Sequence, residues 1–263
     1  MTKTMTYTQT TALITGASSG LGAEFATRFA ARGANLVLVA RRIDRLEDLA
    51  RELRTAHGIS VTTLSKDLSH PGAGAELRDE LAGRGISIDT LINNAGFATS
   101  GPLVEEDPAV IASEIALNVA TLVDITRAFL PEMLASGQGA LINVASTAGF
   151  QPVPGMAVYG ATKAFVLSFT EALAYETKAA DLRVLALCPG ATRTEFFDVL
   201  GSEDAAVGRL QSASAVITTA LRALDRRKTP VSVVSGVGNR VLAAAAQRLP
   251  RPISLAMAGS AVK

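Results

Sequence analysis

Tyr159 and Lys163 stand four residues apart in the segment Y-G-A-T-K, with only small residues between them. On a helix that spacing puts both side chains on one face, one turn apart. The chemistry such a pair offers is proton transfer. An unperturbed phenol has a pKa of about 10, poorly matched to neutral pH. A neighbouring ammonium favours the phenolate and lowers that value, and a general acid works best with a pKa near the working pH. Taken alone, a Tyr–Lys pair at this spacing is usually a packed or solvated helix pair. Ser146, thirteen residues before the tyrosine, follows the apolar run G-A-L-I-N-V-A. Its hydroxyl can hydrogen-bond a substrate oxygen and steady the charge developing there; read alone, it is a loop or capping residue.

A second cluster lies near the start of the chain. In T-A-L-I-T-G-A-S-S-G-L-G, an apolar run is followed by Gly16, Gly20 and Gly22, with Ser18, Ser19 and Leu21 between them, and then by a helical pattern. Glycine allows a tight turn and close approach of a ligand to the main chain. The free N–H groups at the start of the following helix then face phosphates. A strand, a glycine turn and a helix in that order are what dinucleotide binding requires; the plainer alternative is a tight turn in which glycine serves packing. The second apolar run ends in L-V-L-V-A-R-R-I-D. An acidic residue near this point commonly holds the ribose 2′-OH of NAD, whereas Arg41 and Arg42 suit a 2′-phosphate and so NADP(H). Arg41, immediately beyond the apolar run, is the better placed. Asp44 is expected to cap a helix beginning near Arg45.

These groups need elements to hold them. Seven short runs rich in Val, Ile and Leu read as buried strands: 11–15, 35–40, 59–64, 88–93, 139–145, 182–188 and 230–235. Amphipathic helical stretches separate them, which predicts βαβ units and a parallel sheet covered on both faces. No composition shift or linker divides residues 1–263, so one domain is expected. A long irregular segment, about 189–210, is a candidate lid. Residues from about 237 to 263 read as a helix to Leu249, then a loose or docking tail beyond Pro250 and Pro252. Apolar residues make up 48% of the chain and charged residues 19%, with 25 Lys and Arg against 24 Asp and Glu. A net charge of +1 gives no field to recruit nucleic acid or an anionic membrane. No run approaches the ~18 apolar residues of a membrane span, and the polar start lacks a signal sequence; a cytoplasmic protein is expected. Cys188 has no partner for a disulfide, and His57 and His70 belong to no metal-ligand cluster, so no metal site is expected. Cys188 reads as a buried small apolar residue.

Together the motifs resemble the short-chain dehydrogenase/reductase family, in its NADP-preferring branch. They are T-G-A-S-S-G-L-G (15–22), K-D-L-S (66–69), N-N-A-G (93–96), Ser146 followed by Y-G-A-T-K, and C-P-G-A-T-R-T (188–194). The resemblance implies a Rossmann-type doubly wound sheet of seven strands, and hydride transfer between NADP(H) and a carbonyl or alcohol. It implies that Asp67, with Leu68, contacts the adenine. Asn93, Asn94, Ala95 and Gly96 would line the cofactor, and Pro189, Gly190, Thr192 and Thr194 the nicotinamide end. Asn118 would join Ser146, Tyr159 and Lys163 as a fourth catalytic residue, holding a water that links Lys163 to solvent. Tyr159 and Lys163 would also touch the cofactor, the lysine through the nicotinamide ribose. Where the family often has two serines, this chain has Ala145 and Ser146.

Candidate walls of a substrate pocket are Phe97, Thr147, Ala148, Gly149, Phe150, Val153, Phe196, Phe197 and Leu200. They are mostly apolar and carry no fixed charge, which points to a neutral, fairly hydrophobic ketone or secondary alcohol. Arg193 and Glu195 lie in the lid and can point outward. A 3-oxoacyl thioester is the alternative substrate, and an NADP(H)-binding regulator without turnover the alternative function. The family implies a homodimer or homotetramer, and the helical stretches 119–134 and 164–177 carry apolar surface for such contacts.

Overall fold

The structure is a computed structural model that describes residues 5–196 and 210–260. Its centre is a seven-stranded sheet made of β1 (Thr11–Thr15), β2 (Asn35–Ala40), β3 (Val61–Ser65), β4 (Thr90–Asn93), β5 (Ala140–Val144), β6 (Arg183–Cys188) and β9 (Ser232–Val234). All pairs are parallel and the order is β3-β2-β1-β4-β5-β6-β9. The order reverses between β1 and β4, so the strand ends open a crevice there, where ligands bind in doubly wound sheets.

Alternation along the strands feeds two apolar layers. Ile14, Leu36 and Leu38 face one side and pack with Phe25 and Phe29 of α1 (Gly20–Ala30) and Val216, Ile217 and Leu221 of α7 (Ala213–Leu224). Leu13, Val37, Val39 and Leu91 face the other, against Leu77 of α3 (Ala73–Gly83) and Ile125 and Phe129 of α5 (Leu122–Ser136). Strands covered on both faces read as continuous apolar runs, and each of the seven expected runs overlaps a strand of the sheet, β3 reaching one residue beyond its run.

Three boundaries differ from the sequence reading. Helix α2 (Ile43–His57) starts earlier than expected, with Arg42 at the N-cap position and Asp44 in its first turn. The connection from β2 is only two residues long, and the Leu46 N–H closes the first turn on the Arg42 carbonyl at 3.3 Å. Asp44 therefore acts on the positive end of the helix without capping it. The chain beyond α8 (Val237–Arg248) is a further helix, α9 (Arg251–Ser260), with Ser254 and Ala258 buried. Pro252 sits in its first turn, where a missing N–H costs nothing. In the candidate lid, β7 (Thr192–Arg193) pairs with β8 (Gln211–Ser212), which ties the two ends of the segment together. Phe197 and Leu200 lie outside the described residues.

Helix α4 (Pro108–Ile115), a π-helical stretch (Ala116–Thr121) and α5 run on continuously. The 29 residues Pro108–Ser136, of mean hydropathy 1.6 in their most apolar window, are long and apolar enough to cross a membrane. Buried polar side chains along them are nevertheless bonded into the domain: the Thr121 hydroxyl donates to the Leu68 carbonyl at 2.5 Å, and Thr126 accepts from Asn93 at 2.9 Å. The run is thus tied to the α/β body through these two side chains.

Candidate active site

The glycine turn leaves β1 with Gly16 and Gly20 in the left-handed region, at φ of 65° and 56°. It is held against the end of β4. The Asn94 side-chain amide donates to the carbonyls of Thr15 and Gly16, at 3.0 and 3.2 Å, and the Thr15 hydroxyl accepts the N–H groups of Asn94 and Ala95. A Cβ on Gly16 would lie 2.9 Å from Ala95 Cα, so these two turns require that glycine. Gly22 faces the turn itself: its Cβ would fall 2.2 Å from the Gly16 carbonyl oxygen. It packs the helix and does not line the crevice. Ser19 precedes α1 without capping it through its side chain, so the first N–H groups of the helix stay available to an anion.

One cavity of about 660 Å³ runs from this turn to the tyrosine. At its outer end stand Ser18, Ser19, Arg41, Arg42, Asp67 and Leu68. The Arg42 guanidinium donates to the hydroxyls of Ser18 and Ser19, both at 3.0 Å, and pairs with Glu195 at 2.8 Å. Arg45, which the sequence reading passed over, pairs with the same carboxylate. The guanidinium groups of Arg45 and Arg42 hold the Glu195 carboxyl down at about 2. Arg41 lines the cavity beside them, so the geometry gives it no precedence over Arg42. The Asp67 carboxylate accepts the Ser69 N–H at 2.9 Å, and that bond lowers its pKa.

At the inner end, Tyr159 and Lys163 lie on α6 (Ala157–Glu176), and only 9% and 6% of their surface is exposed. Lys163 Nζ donates to the Val144 carbonyl at 2.8 Å and sits 5.7 Å from the centre of the Tyr159 ring. Burial pushes Tyr159 up to about 12, against the hydrogen bond of Ser146, which lowers it. Burial also pulls Lys163 down to about 8, against the Glu114 carboxyl, which raises it. Desolvation thus sets the direction of the Tyr159 shift, upward, where the sequence reading expected the ammonium to lower it; the ammonium lies close enough to favour a phenolate once one forms. Ser146 Oγ accepts the Ala148 N–H at 3.1 Å, which fixes its side chain at the cavity edge.

Asn118 lies in the π-helical stretch, buried behind the cavity. Its amide donates to the Phe97 carbonyl at 2.8 Å and the Thr162 hydroxyl at 3.2 Å, while Oδ1 accepts the Phe97 N–H at 3.1 Å. Both amide hydrogens and the side-chain oxygen are engaged, so this side chain holds Phe97. Gly96 permits the approach: a Cβ there would come within 2.7 Å of Asn118 Oδ1 and 3.6 Å of Lys163 Nζ. Asn93 also departs from its expected place. It points into the core and donates to Thr126 and Asn143, both at 2.9 Å; Asn94, Ala95 and Gly96 line the cavity instead.

Phe97, Thr147, Ala148, Phe150, Val153 and Phe196 all line the cavity, and the Phe196 ring lies 5.5 Å from that of Tyr159. Gly149 does not. Its Cβ would meet the Lys163 carbonyl oxygen at 2.7 Å, so it serves packing against α6. Pro189, Gly190, Thr192 and Thr194 line the cavity as expected. The wall that sequence reasoning missed comes from α8: Asn239, Leu242, Ala243 and Ala246. Their three-to-four-residue spacing marks one helix face, but nothing local says where that face docks. Met156 and Gln151 were missed too. Cys188 is buried, with its thiol pushed up to about 12 by burial. Among the described residues no cluster of His, Cys, Asp or Glu can hold a metal ion.

The uncapped helix start, the left-handed glycines and the basic outer rim fit a dinucleotide. The buried phenol, ammonium and hydroxyl at the far end fit proton exchange with a substrate oxygen. Fold and cavity define a doubly wound α/β protein whose crevice runs from a glycine turn to a buried Ser–Tyr–Lys cluster. The model of the short chain dehydrogenase family matches residues 10–205, and the chain belongs to that family of oxidoreductases. It is 41% identical over 186 residues to sulfoacetaldehyde reductase 2 of Chromohalobacter salexigens, covering 70% of this chain and 73% of that one. A short-chain dehydrogenase from Sphingobium yanoikuyae, solved in complex with NADPH, superposes with a TM-score of 0.80 at 40% identity, covering 91% and 93% of the two chains. A family member from Burkholderia phymatum, solved with NAD, gives a TM-score of 0.80 at 28% identity with the same coverage.

Proposed function

We propose that the chain is an NADP(H)-dependent oxidoreductase interconverting a neutral, fairly hydrophobic ketone and its secondary alcohol. The observation that carries this reading is one continuous cavity with Arg41 and Arg42 at its outer end and Tyr159, Ser146 and Lys163 at its inner end. When bound, the nicotinamide supplies or accepts the hydride. Tyr159 gives its phenolic proton to the substrate oxygen, or takes it back in oxidation. Ser146 hydrogen-bonds that oxygen and steadies its charge. Lys163 stabilises the phenolate and offers donors to a ribose. Asn118 acts through Phe97, whose position it fixes. Arg41 and Arg42 hold the 2′-phosphate, with Ser18, Ser19 and the α1 N–H groups on the pyrophosphate. The Sphingobium relative bound to NADPH supports this cofactor; the Burkholderia relative bound to NAD makes it a point to test.

The sulfoacetaldehyde reductase relative, by its name, takes an anionic aldehyde. Among the described lining residues Lys163 is the sole cation at the Tyr159 end, and it donates to the Val144 carbonyl, which supports a neutral substrate. A thioester-bound ketone has one observation in its favour: α8 also carries exposed Arg240 and Arg248, and no acidic residue follows Asp225 in the sequence. Exposed Ile115, Phe165 and Tyr175 on the α4–α5 and α6 helices support self-association as a dimer or tetramer.

The first test is titration of NADPH and NADH by cofactor fluorescence, on the wild type and on Arg41→Ala and Arg42→Ala. Preference for NADPH, reduced about tenfold or more in either variant by loss of a charged hydrogen bond, is expected. Equal binding of both cofactors, unchanged by either substitution, would overturn the 2′-phosphate assignment. In a ketone screen, Tyr159→Phe should lower turnover about 10²–10⁴-fold with NADPH binding retained. Full turnover without the hydroxyl would remove Tyr159 from the chemistry, and a wild type that binds NADPH but reduces no carbonyl would favour the regulator.

A further inference from the structure

Glu114 occupies the last turn of α4 and is wholly buried, at 0% exposure. A carboxyl group in that setting demands partners. Oε2 accepts the Thr99 N–H at 2.9 Å, while Oε1 has no hydrogen-bond partner in the protein. The buried Thr99 Oγ1 and Glu106 Oε2 also lack one. Thr99 and Glu106 thus both act on this one interior carboxyl group, Thr99 favouring its anion and Glu106 opposing it.

The position ties Glu114 to the acid–base site. Four residues on, Asn118 faces the same interior and grips Phe97, as described above. Glu114 holds Thr99, so two side chains of one helical run fix the segment 97–99 that carries Phe97 into the cavity. Asn118, one turn on from Glu114, reaches Thr162 at 3.2 Å, and the Gly96 Cβ position lies 2.7 Å from Asn118 Oδ1 and 3.6 Å from Lys163 Nζ, so this helical run meets α6 at Lys163; burial opposes the Glu114 anion most, Glu106 opposes it too, and Lys163 favours it. Glu114 in turn acts on Lys163 and on Tyr159.

We propose that Glu114 is a positioning residue for the proton-handling pair: its buried carboxylate, fixed by the Thr99 N–H, keeps Lys163 an ammonium, and its neutralisation by a proton eases ionisation of Tyr159. This deepens the reading of Tyr159 and Lys163 given above. The signs are set by charge alone. An anionic Glu114 stabilises the ammonium and opposes a phenolate; a neutral Glu114 does the reverse.

The test follows the Lys163 side chain by NMR in protein labelled at lysine, with its signal identified by loss in Lys163→Met. In Glu114→Gln the Lys163 midpoint should fall by about half to one pH unit, the effect of losing one nearby opposite charge. Glu114→Leu, which restores apolar packing, should give the same fall and serves if the amide variant does not fold. The reciprocal measurement leaves Glu114 in place: its own carboxyl titration should move upward in Lys163→Met. A folded Glu114 variant that melts earlier but leaves the Lys163 midpoint in place would reduce the residue to a structural role and overturn the proposal. So would a Glu114 midpoint indifferent to Lys163. The readout uses neither substrate nor cofactor, so its failure is separable from failure of the dehydrogenase reading.

Discussion

Lys163 gives up water for one carbonyl acceptor, and its pKa falls from the ordinary 10.5 to about 8 as a result. Between those values the unfolded chain binds a proton that the folded chain does not, so this residue makes stability rise with pH across that window. Below about 8 both states are charged and the burial cost is fully present. Lys163→Met should therefore be more stable than wild type at pH 7, by about 3 kcal/mol at most, with the advantage fading as pH approaches 10.5. Denaturant unfolding at pH 7 and pH 10 checks this; a constant difference would mean that the lysine is not folded in as a desolvated base. At this scale type and spacing in the sequence singled out Ser146, Tyr159 and Lys163, which the structure brings to one cavity. It missed Glu114 because a glutamate on an amphipathic helix looks like a solvated charge until its environment is known.

At the scale of elements, the glycine turn divides its work in a way the motif alone does not disclose. Gly16 and Gly20 supply left-handed backbone, whereas Gly22 is small because α1 crosses the Gly16 carbonyl. Gly22→Ala would set a methyl 2.2 Å from that oxygen, and a backbone atom yields only if the turn moves. We expect about 1–3 kcal/mol of lost stability from overpacking and a loss of NADPH affinity about tenfold or greater, since the displaced turn carries the N–H groups proposed for the pyrophosphate. Gly58→Ala, also at a positive φ but with open space around it, should cost about 1 kcal/mol and leave binding unchanged. Calorimetry with NADPH on both variants separates packing from backbone strain; equal behaviour would refute the division. The same limit applies to N-N-A-G. Strand alternation turns Asn93 inward and Asn94 toward the glycine turn, and which asparagine takes which face depends on the register of β4.

For the whole molecule, the substrate end of the cavity is closed by residues about eighty positions beyond the tyrosine. Ala243 and Ala246 of α8 line the same cavity as Phe97, Phe150 and Phe196. Their small side chains leave room that a larger one would fill. Ala246→Phe should lower kcat/KM for bulky ketones about tenfold or more, since overpacking costs about 1–3 kcal/mol, while small ketones and NADPH binding are little affected. Uniform loss across substrate sizes would show that α8 does not set the size limit. At the other end, Glu195 spans to Arg42 and Arg45 and occupies guanidinium groups that a 2′-phosphate needs. Glu195→Gln should tighten NADPH binding more than NADH binding, measured at low salt where exposed charges are least screened; weaker NADPH binding would contradict competition.

The sequence by itself determined the order of strands and helices, the glycine turn, the two arginines and the Ser–Tyr–Lys spacing. Each is a local pattern: apolar periodicity follows from strand and helix geometry, and a turn or a one-turn pair is fixed by a few neighbouring residues. Tertiary structure alone decided which of two adjacent asparagines meets the crevice, that Asn118 braces Phe97, that Glu114 is buried beside Lys163, that Glu195 holds Arg42 and Arg45, and that α8 walls the cavity. Those outcomes depend on desolvation and on contacts between segments far apart in the chain. Neither quantity is carried by any single stretch of residues; both arise only when the sheet sets the spacing between its helices.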